Sequence, residues 1–327
     1  MKYNRLFLLP CSLLIILLVS GCGRTQEPIA KSGFYLNTVI TITIYDNSDT
    51  SLIDGAFLVC DKYEHLLSRT ISGSDIWNIN HSNGKPTEVS DETVSLLQTA
   101  MTYCDETNGA IDITLAPLSD LWDFSSDKPK KVPDDSDIRN LLSNVDYHAI
   151  NIEGNTIILK NKNAAIDLGF IAKGFIADKI KEYLVKNGVS SAVINLGGNV
   201  LTIGNKPDGS PFTIGIQKPF DDRNTSITSV SASDSSVVSS GVYERFFKEN
   251  GKLYHHILNP VTGYPYETTL LGVTIISKTS LQGDALSTSC FVLGLDDGMQ
   301  LIESLPEVEA IFITDDYKLH YSSGIIP

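Results

Sequence analysis

The sequence predicts an α+β fold: a mixed, largely antiparallel sheet with flanking helices. Three observations carry this. Short β-branched runs with period-two alternation recur, as in "TVITITIY" over 38–45. Longer stretches place apolar residues at helical spacing, as Ile53, Ala56, Phe57, Cys60, Tyr63 and Leu67 do over 51–67. Strands and helices follow one another without regular alternation, and no repeat of fixed period is evident.

Along the chain, Lys2 and Arg5 precede a nearly continuous apolar run from Leu6 to Val19. A short apolar run ending in small residues reads as a secretory leader, not a membrane span. Leu18, Val19, Ser20 and Gly21 before Cys22 resemble a bacterial lipobox. That resemblance implies a leader over 1–21, removed to leave Cys22 lipidated, and a polar tether over 22–32. Multiple acyl chains on one residue anchor firmly where one chain is marginal.

Val94, Leu97, Met101 and Cys104 predict a helix over 91–107, with Asp91 and Glu92 suited to its start and Gly109 to its stop. Residues 125–137 read as a polar loop. The segment 165–188 begins as a strand and continues as a helix stopped by Gly188. Strands are expected around 191–204, 212–217, 228–248, 253–258 and 269–277. Helices follow over 281–293, stopped by Gly294, and 296–304, and two strands end the chain.

The formal net charge of −14 without basic runs makes the chain a poor candidate for nucleic acid. It also argues against electrostatic adhesion to anionic lipid. Beyond Cys22, Cys60, Cys104 and Cys290 are too few and too scattered for a disulfide framework or a metal knuckle.

Several segments carry chemistry. In "GDALSTSC" (283–290), Asp284 and Thr288 are i and i+4, so on a helix they share one face. A carboxylate and a hydroxyl so placed suit a hard cation such as Mg²⁺; a capping or solvated Asp is the plain alternative. Asp167 lies in an apolar strand before a Gly turn, with Lys173 placed to meet it or an anion. It reads either as a ligand contact or as an Asp–Lys pair organising the turn. Asp112 and Thr114 share one strand face next to Gly109, either at a ligand or as a turn cap. Gly197-Gly198 marks a tight hairpin, a bulge or close packing near a ligand. His255 and His256 are adjacent among only six His. On a strand they point to opposite faces, so they cannot readily chelate one metal. One of them, near neutral pKa, suits proton abstraction from a hydroxyl; a satisfied structural His is the alternative.

Taken in order, "LNTVITITIYD", "LLSRTISGSDIWNIN", "NGAIDITLAPLSDLW", "IDLGFIAKGFIADKI", "INLGGNV", "SSGVYERFF", "YHHILNPVTGYP" and "GDALSTSCFVLG" resemble the bacterial FAD:protein FMN transferase family. The family is also called the ApbE or thiamine-biosynthesis lipoprotein family. The resemblance implies a catalytic domain over 33–327 that moves FMN from FAD onto a Thr or Ser hydroxyl of a target flavoprotein. A phosphoester forms and AMP is released, with Mg²⁺ required. It implies a separate acceptor, either an FMN-binding domain or a subunit of an ion-pumping electron-transfer complex. It also implies lipid anchoring at the extracytoplasmic face of a bacterial cell membrane. The same site hydrolysing FAD to FMN and AMP, or a lipoprotein that only binds flavin, are the competing readings.

Carried onto this chain, Asp284, Ser287 and Thr288 look like Mg²⁺ ligands, with the backbone carbonyl of Phe170. Leu36, Thr70, Ala110, Ile111, Asp112, Asp167, Lys173 and Ile257 match FAD contacts, and His256 matches the base. The chain departs from the family's usual Met-Gly-Thr at Leu36-Asn37-Thr38. It departs from Pro-Arg-Thr-Gly at Pro260-Val261-Thr262-Gly263, and from Thr-Ser-Gly-Asp at Ser239-Ser240-Gly241-Val242.

Overall fold

A computed structural model describes residues 27–125 and 128–325. The expected leader and Cys22 lie outside the described residues. No helix among the described residues is long and apolar enough to cross a membrane.

The centre is an eight-stranded sheet whose neighbours are all antiparallel. Its order is β1 (Ile29–Tyr35), β2 (Thr38–Ile44), β6 (Ala192–Leu196), β7 (Asn199–Ile203), β10 (Ser236–Gly241), β13 (Leu270–Ser277), β14 (Glu309–Thr314) and β15 (Leu319–Tyr321). Alternation in β2 sends Ile40, Ile42 and Ile44 fully into the core. They meet the buried stripe of α1 (Ser51–Leu67), which includes Ile53, Ala56 and Cys60. The helices α3 (Asp91–Glu106) and α6 (Ala172–Lys186) add to the same core. The helix α7 (Ser280–Ser304) covers β10 and β13, and Gly294 breaks it at φ 84°, ψ −178°. The two helices expected on either side of Gly294 are therefore present, run together across a kink.

Smaller units surround the sheet. The strands β3 (Thr87–Glu88), β4 (Ile150–Glu153) and β5 (Thr156–Leu159) form one minor sheet. The strands β8 (Phe212–Gln217) and β9 (Ser226–Ala232) form a second, and β11 (Phe246–Glu249) and β12 (Lys252–His255) a third. Trp122 on α4 (Ala116–Trp122) packs among Phe124, Phe247 and Tyr254 and donates to the Gly263 carbonyl at 2.8 Å.

Four expectations are corrected. Residues 29–32, expected as the end of a polar tether, are strand, because β1 starts at Ile29 and pairs along β2. The single strand over 228–248 is three: β9 and β10 are separated by a turn at Asp234 (φ 48°), and β11 follows. The polar stretch 125–137 runs into the helix α5 (Asp135–Leu142), and the periodicity also does not reveal the short helix α2 (Asp75–Asn80). The strand before α6 is reduced to one parallel bridge between Leu115 and Ala165. There the Asn80 amide serves both backbone groups of Ile166, at 2.7 and 2.9 Å, in place of a neighbouring strand.

The crossing of α6 and α7 sets the site. The first turn of α6 has no side-chain cap of its own. Asp284 of α7 supplies one, its Oδ2 accepting the Gly174 N–H at 2.8 Å. In return, Asp178 of α6 accepts the Ser280 and Leu281 N–H groups at the start of α7, at 2.8 and 2.9 Å. The helices touch at Gly174, where a Cβ would lie 2.3 Å from the Ser280 carbonyl oxygen and 2.7 Å from Asp284 Cβ. Gly174→Ala should therefore lower stability by about 1–3 kcal/mol through overpacking. Asp178→Ala should cost about 1 kcal/mol through the lost cap. Urea unfolding midpoints measure both; an unchanged midpoint in Gly174→Ala would mean that the helices do not cross this closely.

Candidate functional site

A cleft of about 330 Å³ opens where these elements meet. Asp284 and Thr288 reach it from one face of α7, as the i, i+4 spacing requires. Phe170 and Lys173 reach it from the turn into α6, and Ala110, Ile111 and Asp112 from the loop after α3. Leu36 and Asn37 come from the β1–β2 turn, and His256 and Ile257 from the segment after β12. Asp167 lines it too.

Asp284 is 3 % exposed, and burial raises its pKa against the opposing pull of Lys173 and the Gly174 N–H. Thr288 Oγ1 lies 3.2 Å from Ser240 Oγ on β10. The Phe170 ring packs edge-on against Tyr103, centroids 6.5 Å apart, so its backbone is the part suited to a ligand role. These are hard oxygen donors, which fit a Mg²⁺ ion that keeps several waters or substrate oxygens. Among the described residues no group of three or more His, Cys, Asp and Glu is arranged as an all-side-chain metal cage.

Two carboxylates turn out to be organisers. Asp112 is 8 % exposed, accepts from Thr114 N and Oγ1 at 2.7 and 2.6 Å, and takes the Tyr147 N–H at 3.0 Å. It sits in a loop, not the strand expected, and burial raises its pKa. Asp167 does not pair with Lys173. Its Oδ2 meets Arg69 Nε at 2.9 Å and its Oδ1 accepts the Gly169 N–H at 2.7 Å. Arg69 also holds Asp120 at 2.8 Å.

The two histidines divide as strand geometry requires. His255 is 4 % exposed and packs edge-on against Phe291. Its Nε2 lies 3.0 Å from the Tyr266 carbonyl, which can only accept, so Nε2 carries the proton. Its Nδ1 then accepts the Ile257 N–H at 3.3 Å. His256 turns into the cleft, where its Nδ1 is buried without an aligned partner. Burial, then the charge of Arg245, hold its pKa down to about 3; the nearby Arg245 carbonyl pulls weakly the other way. That carbonyl already accepts the His256 N–H, at 3.1 Å.

Two expected residues fall off the cleft wall. Thr70 is exposed beside it, and Arg69 lines it instead. Ser287 is fully buried behind Thr288, hydrogen-bonded to Ser240 at 2.7 Å and the Asp284 carbonyl at 2.8 Å. Sequence reasoning also missed Arg245, Ser240 and Glu244, which line the cleft from the "SSGVYERFF" segment.

The departures from the family pattern have local explanations. Leu36 and Asn37 both have positive φ, 53° and 55°, in a tight turn that Asn tolerates nearly as Gly does. Val261 is 78 % exposed and does not line the cleft. Val242 is buried beside Ile257 and Phe291 in an apolar cluster.

The ApbE family model matches residues 36–312, most of the chain. The chain belongs to the ApbE family. A curated relative from Klebsiella pneumoniae, named FAD:protein FMN transferase, is 36 % identical over 295 residues, covering 89 % of this chain and 91 % of that one. One of the same name from Treponema pallidum is 31 % identical, covering 99 % and 94 %. Among solved structures, the ApbE protein of Thermotoga maritima superposes with a TM-score of 0.82 at 28 % identity, covering 91 % of this chain and 97 % of that one. Flavin transferase ApbE from Vibrio cholerae gives 0.81 at 27 % identity, with the same coverage. The cleft of this ApbE member thus sits in a fold shared along nearly its whole length.

The histidines predict a pH signature. His255 is held down to about 4 by burial and His256 to about 3, against about 6.5 when unfolded. Between those values the unfolded chain binds more protons, so their contribution is full above about pH 6.5 and is lost as pH falls toward 4. The melting temperature should therefore drop between pH 7 and 4.5, and His255→Phe should flatten that slope. An unaltered slope in His255→Phe would mean that His255 is not held neutral.

Proposed function

We infer that this protein is a FAD:protein FMN transferase, moving FMN from FAD onto a Thr or Ser hydroxyl of an acceptor flavoprotein and releasing AMP. One observation carries it: a metal-competent carboxylate–hydroxyl pair and a neutral histidine share one cleft with the segments matched to flavin contacts.

FAD binds with its pyrophosphate toward the start of α6, where Lys173 and the helix N-terminus favour negative charge. Ala110, Ile111, Leu36 and Ile257 offer apolar and backbone surface to the flavin half. The Asp112 network fixes the first of these segments, and the Arg69–Asp167 pair fixes the turn before α6. A Mg²⁺ ion held by the Asp284 carboxylate, the Thr288 hydroxyl and the Phe170 carbonyl would neutralise charge on the pyrophosphate as AMP leaves. Thr70 keeps at most a peripheral role beside Arg69, and Ser287 supports Thr288 from behind.

His256 takes the proton from the acceptor hydroxyl. Its oxygen attacks the flavin-side phosphorus, an O–P phosphoester bond forms, and the P–O bond to AMP breaks. Burial and Arg245 keep His256 unprotonated in the free enzyme, which is the form a base must have. The bound pyrophosphate offsets the charges of Arg245 and Lys173, which raises the basicity of the ring when the acceptor arrives.

The sequence around Cys22 supports a lipid anchor, on the extracytoplasmic face of a bacterial cell membrane. Because β1 begins at Ile29, that anchor would hold the domain on a very short tether. The acceptor is a separate protein that must bring its hydroxyl to the cleft.

Incubating the protein with FAD, Mg²⁺ and an FMN-binding acceptor domain, and following AMP and protein-bound flavin fluorescence, tests this. AMP and acceptor-bound flavin should appear together; AMP without bound flavin would make the enzyme a FAD pyrophosphatase. His256→Ala should slow transfer about 100- to 10,000-fold with FAD affinity retained. Equal loss of binding and turnover would make His256 a binding residue. Asp284→Ala should abolish Mg²⁺-dependent AMP release, and wild-type turnover in that variant would refute the metal assignment.

A further inference from the structure

Behind the cleft wall, three hydroxyls and one carbonyl form a continuous chain. Ser287 Oγ lies 2.8 Å from the Asp284 carbonyl oxygen, Ser240 Oγ lies 2.7 Å from Ser287 Oγ, and Thr288 Oγ1 lies 3.2 Å from Ser240 Oγ. The 2.7 and 2.8 Å contacts are ordinary hydroxyl hydrogen bonds and the 3.2 Å contact a longer one, and each takes a proton between its oxygens. Three contacts share three hydroxyl protons, and the terminal carbonyl can only accept. One assignment fills all three. Thr288 donates to Ser240, Ser240 donates to Ser287, and Ser287 donates to the Asp284 carbonyl.

The direction has a consequence at Thr288. Its proton points back into the protein, toward β10, so the lone pairs of its oxygen are left for the cleft. A hydroxyl whose proton faced the cleft would repel a cation. Ser240, Asp284 and Thr288 line the cleft and Ser287 is fully buried, so the chain runs behind the wall. Both ends of the chain belong to the Asp284–Thr288 turn of α7, and Ser240 on β10 bridges them.

We propose that Ser240 and Ser287 are positioning residues that orient the Thr288 hydroxyl as a pure acceptor toward a divalent cation. This gives Ser287 a different place from that of a direct ligand. It rests on the reading of Asp284 and Thr288 as the metal site. The partners that orient metal ligands from behind typically change metal affinity 10- to 100-fold when removed.

The test is Mn²⁺ binding to the purified FAD-loaded protein, followed by the electron paramagnetic resonance signal of free Mn²⁺, without any acceptor. Ser240→Ala should raise the Mn²⁺ Kd about 10-fold or more, with circular dichroism unchanged. Ser240→Thr, which keeps the hydroxyl, should restore most of the affinity. In a Thr288→Ala background, Ser240→Ala should add less than about a twofold change, because coupled residues are not additive. A Kd in Ser240→Ala equal to wild type, or full additivity with Thr288→Ala, overturns the proposal while leaving the metal site intact. Failure of the wild-type protein to bind Mn²⁺ overturns both. Should Ser240→Ala not fold, Ser287→Ala carries the same expectation and the same refutation.

Discussion

Asp284 of α7 closes the first turn of α6, and Asp178 of α6 closes the first turn of α7. This exchange of caps holds the two helices at the Gly174 contact and keeps the Asp284 carboxylate deep in the protein. A carboxylate at 3 % exposure is costly without compensation, and the Gly174 N–H offsets only part of that cost. The charge of Lys173 offsets more of it, and burial still holds the pKa of the carboxyl up. The plain alternative for Asp284, a capping residue, is thus what the hydrogen bond to Gly174 shows, and the proposed metal role would fall on the same side chain.

The rest of the cleft is arranged around that fixed point. The Asp167 turn leads directly into α6, so the Arg69 pair that holds it also sets where Phe170 and Lys173 sit. On the opposite wall, His255 clamps the backbone at Ile257 and Tyr266. Tyr266 reaches across to the Ala110 carbonyl at 2.8 Å. The His256–Ile257 segment and the Ala110 loop are therefore tied together through neutral hydrogen bonds, and burial keeps His255 neutral.

Features that depend on local periodicity were legible in the sequence. The helix over 51–67 and the break at Gly294 are present as expected, because apolar spacing and glycine conformation are encoded within a few residues. The divergence of His255 and His256 follows from the period of a strand. Features that depend on distant partners were not legible. Asn80 replaces a strand neighbour for Ile166 across 86 residues, so the apolar run near Asp167 looked like a strand. Arg69 takes Asp167 from Lys173, and Ser240 takes Ser287 from the cleft, through contacts no spacing rule reports. Val261 drew attention by its identity alone, and it is exposed. That Asp284 and Thr288 reach the cleft together was legible because both lie on one helical face. The loop residues matched to flavin contacts came from family resemblance, and of these Thr70 lies beside the cleft wall, where Arg69 lines it.

The dual role of Asp284 is tested most directly by hydrogen–deuterium exchange at the first turn of α6, residues 171–177, with and without FAD and Mg²⁺. Protection of this turn should persist when FAD and Mg²⁺ bind and in Asp284→Asn, whose amide oxygen can still accept from Gly174 N–H. It should be lost in Asp284→Ala. Undiminished protection in Asp284→Ala would contradict the account, since the carboxylate would then not be the element that joins the two helices to the site.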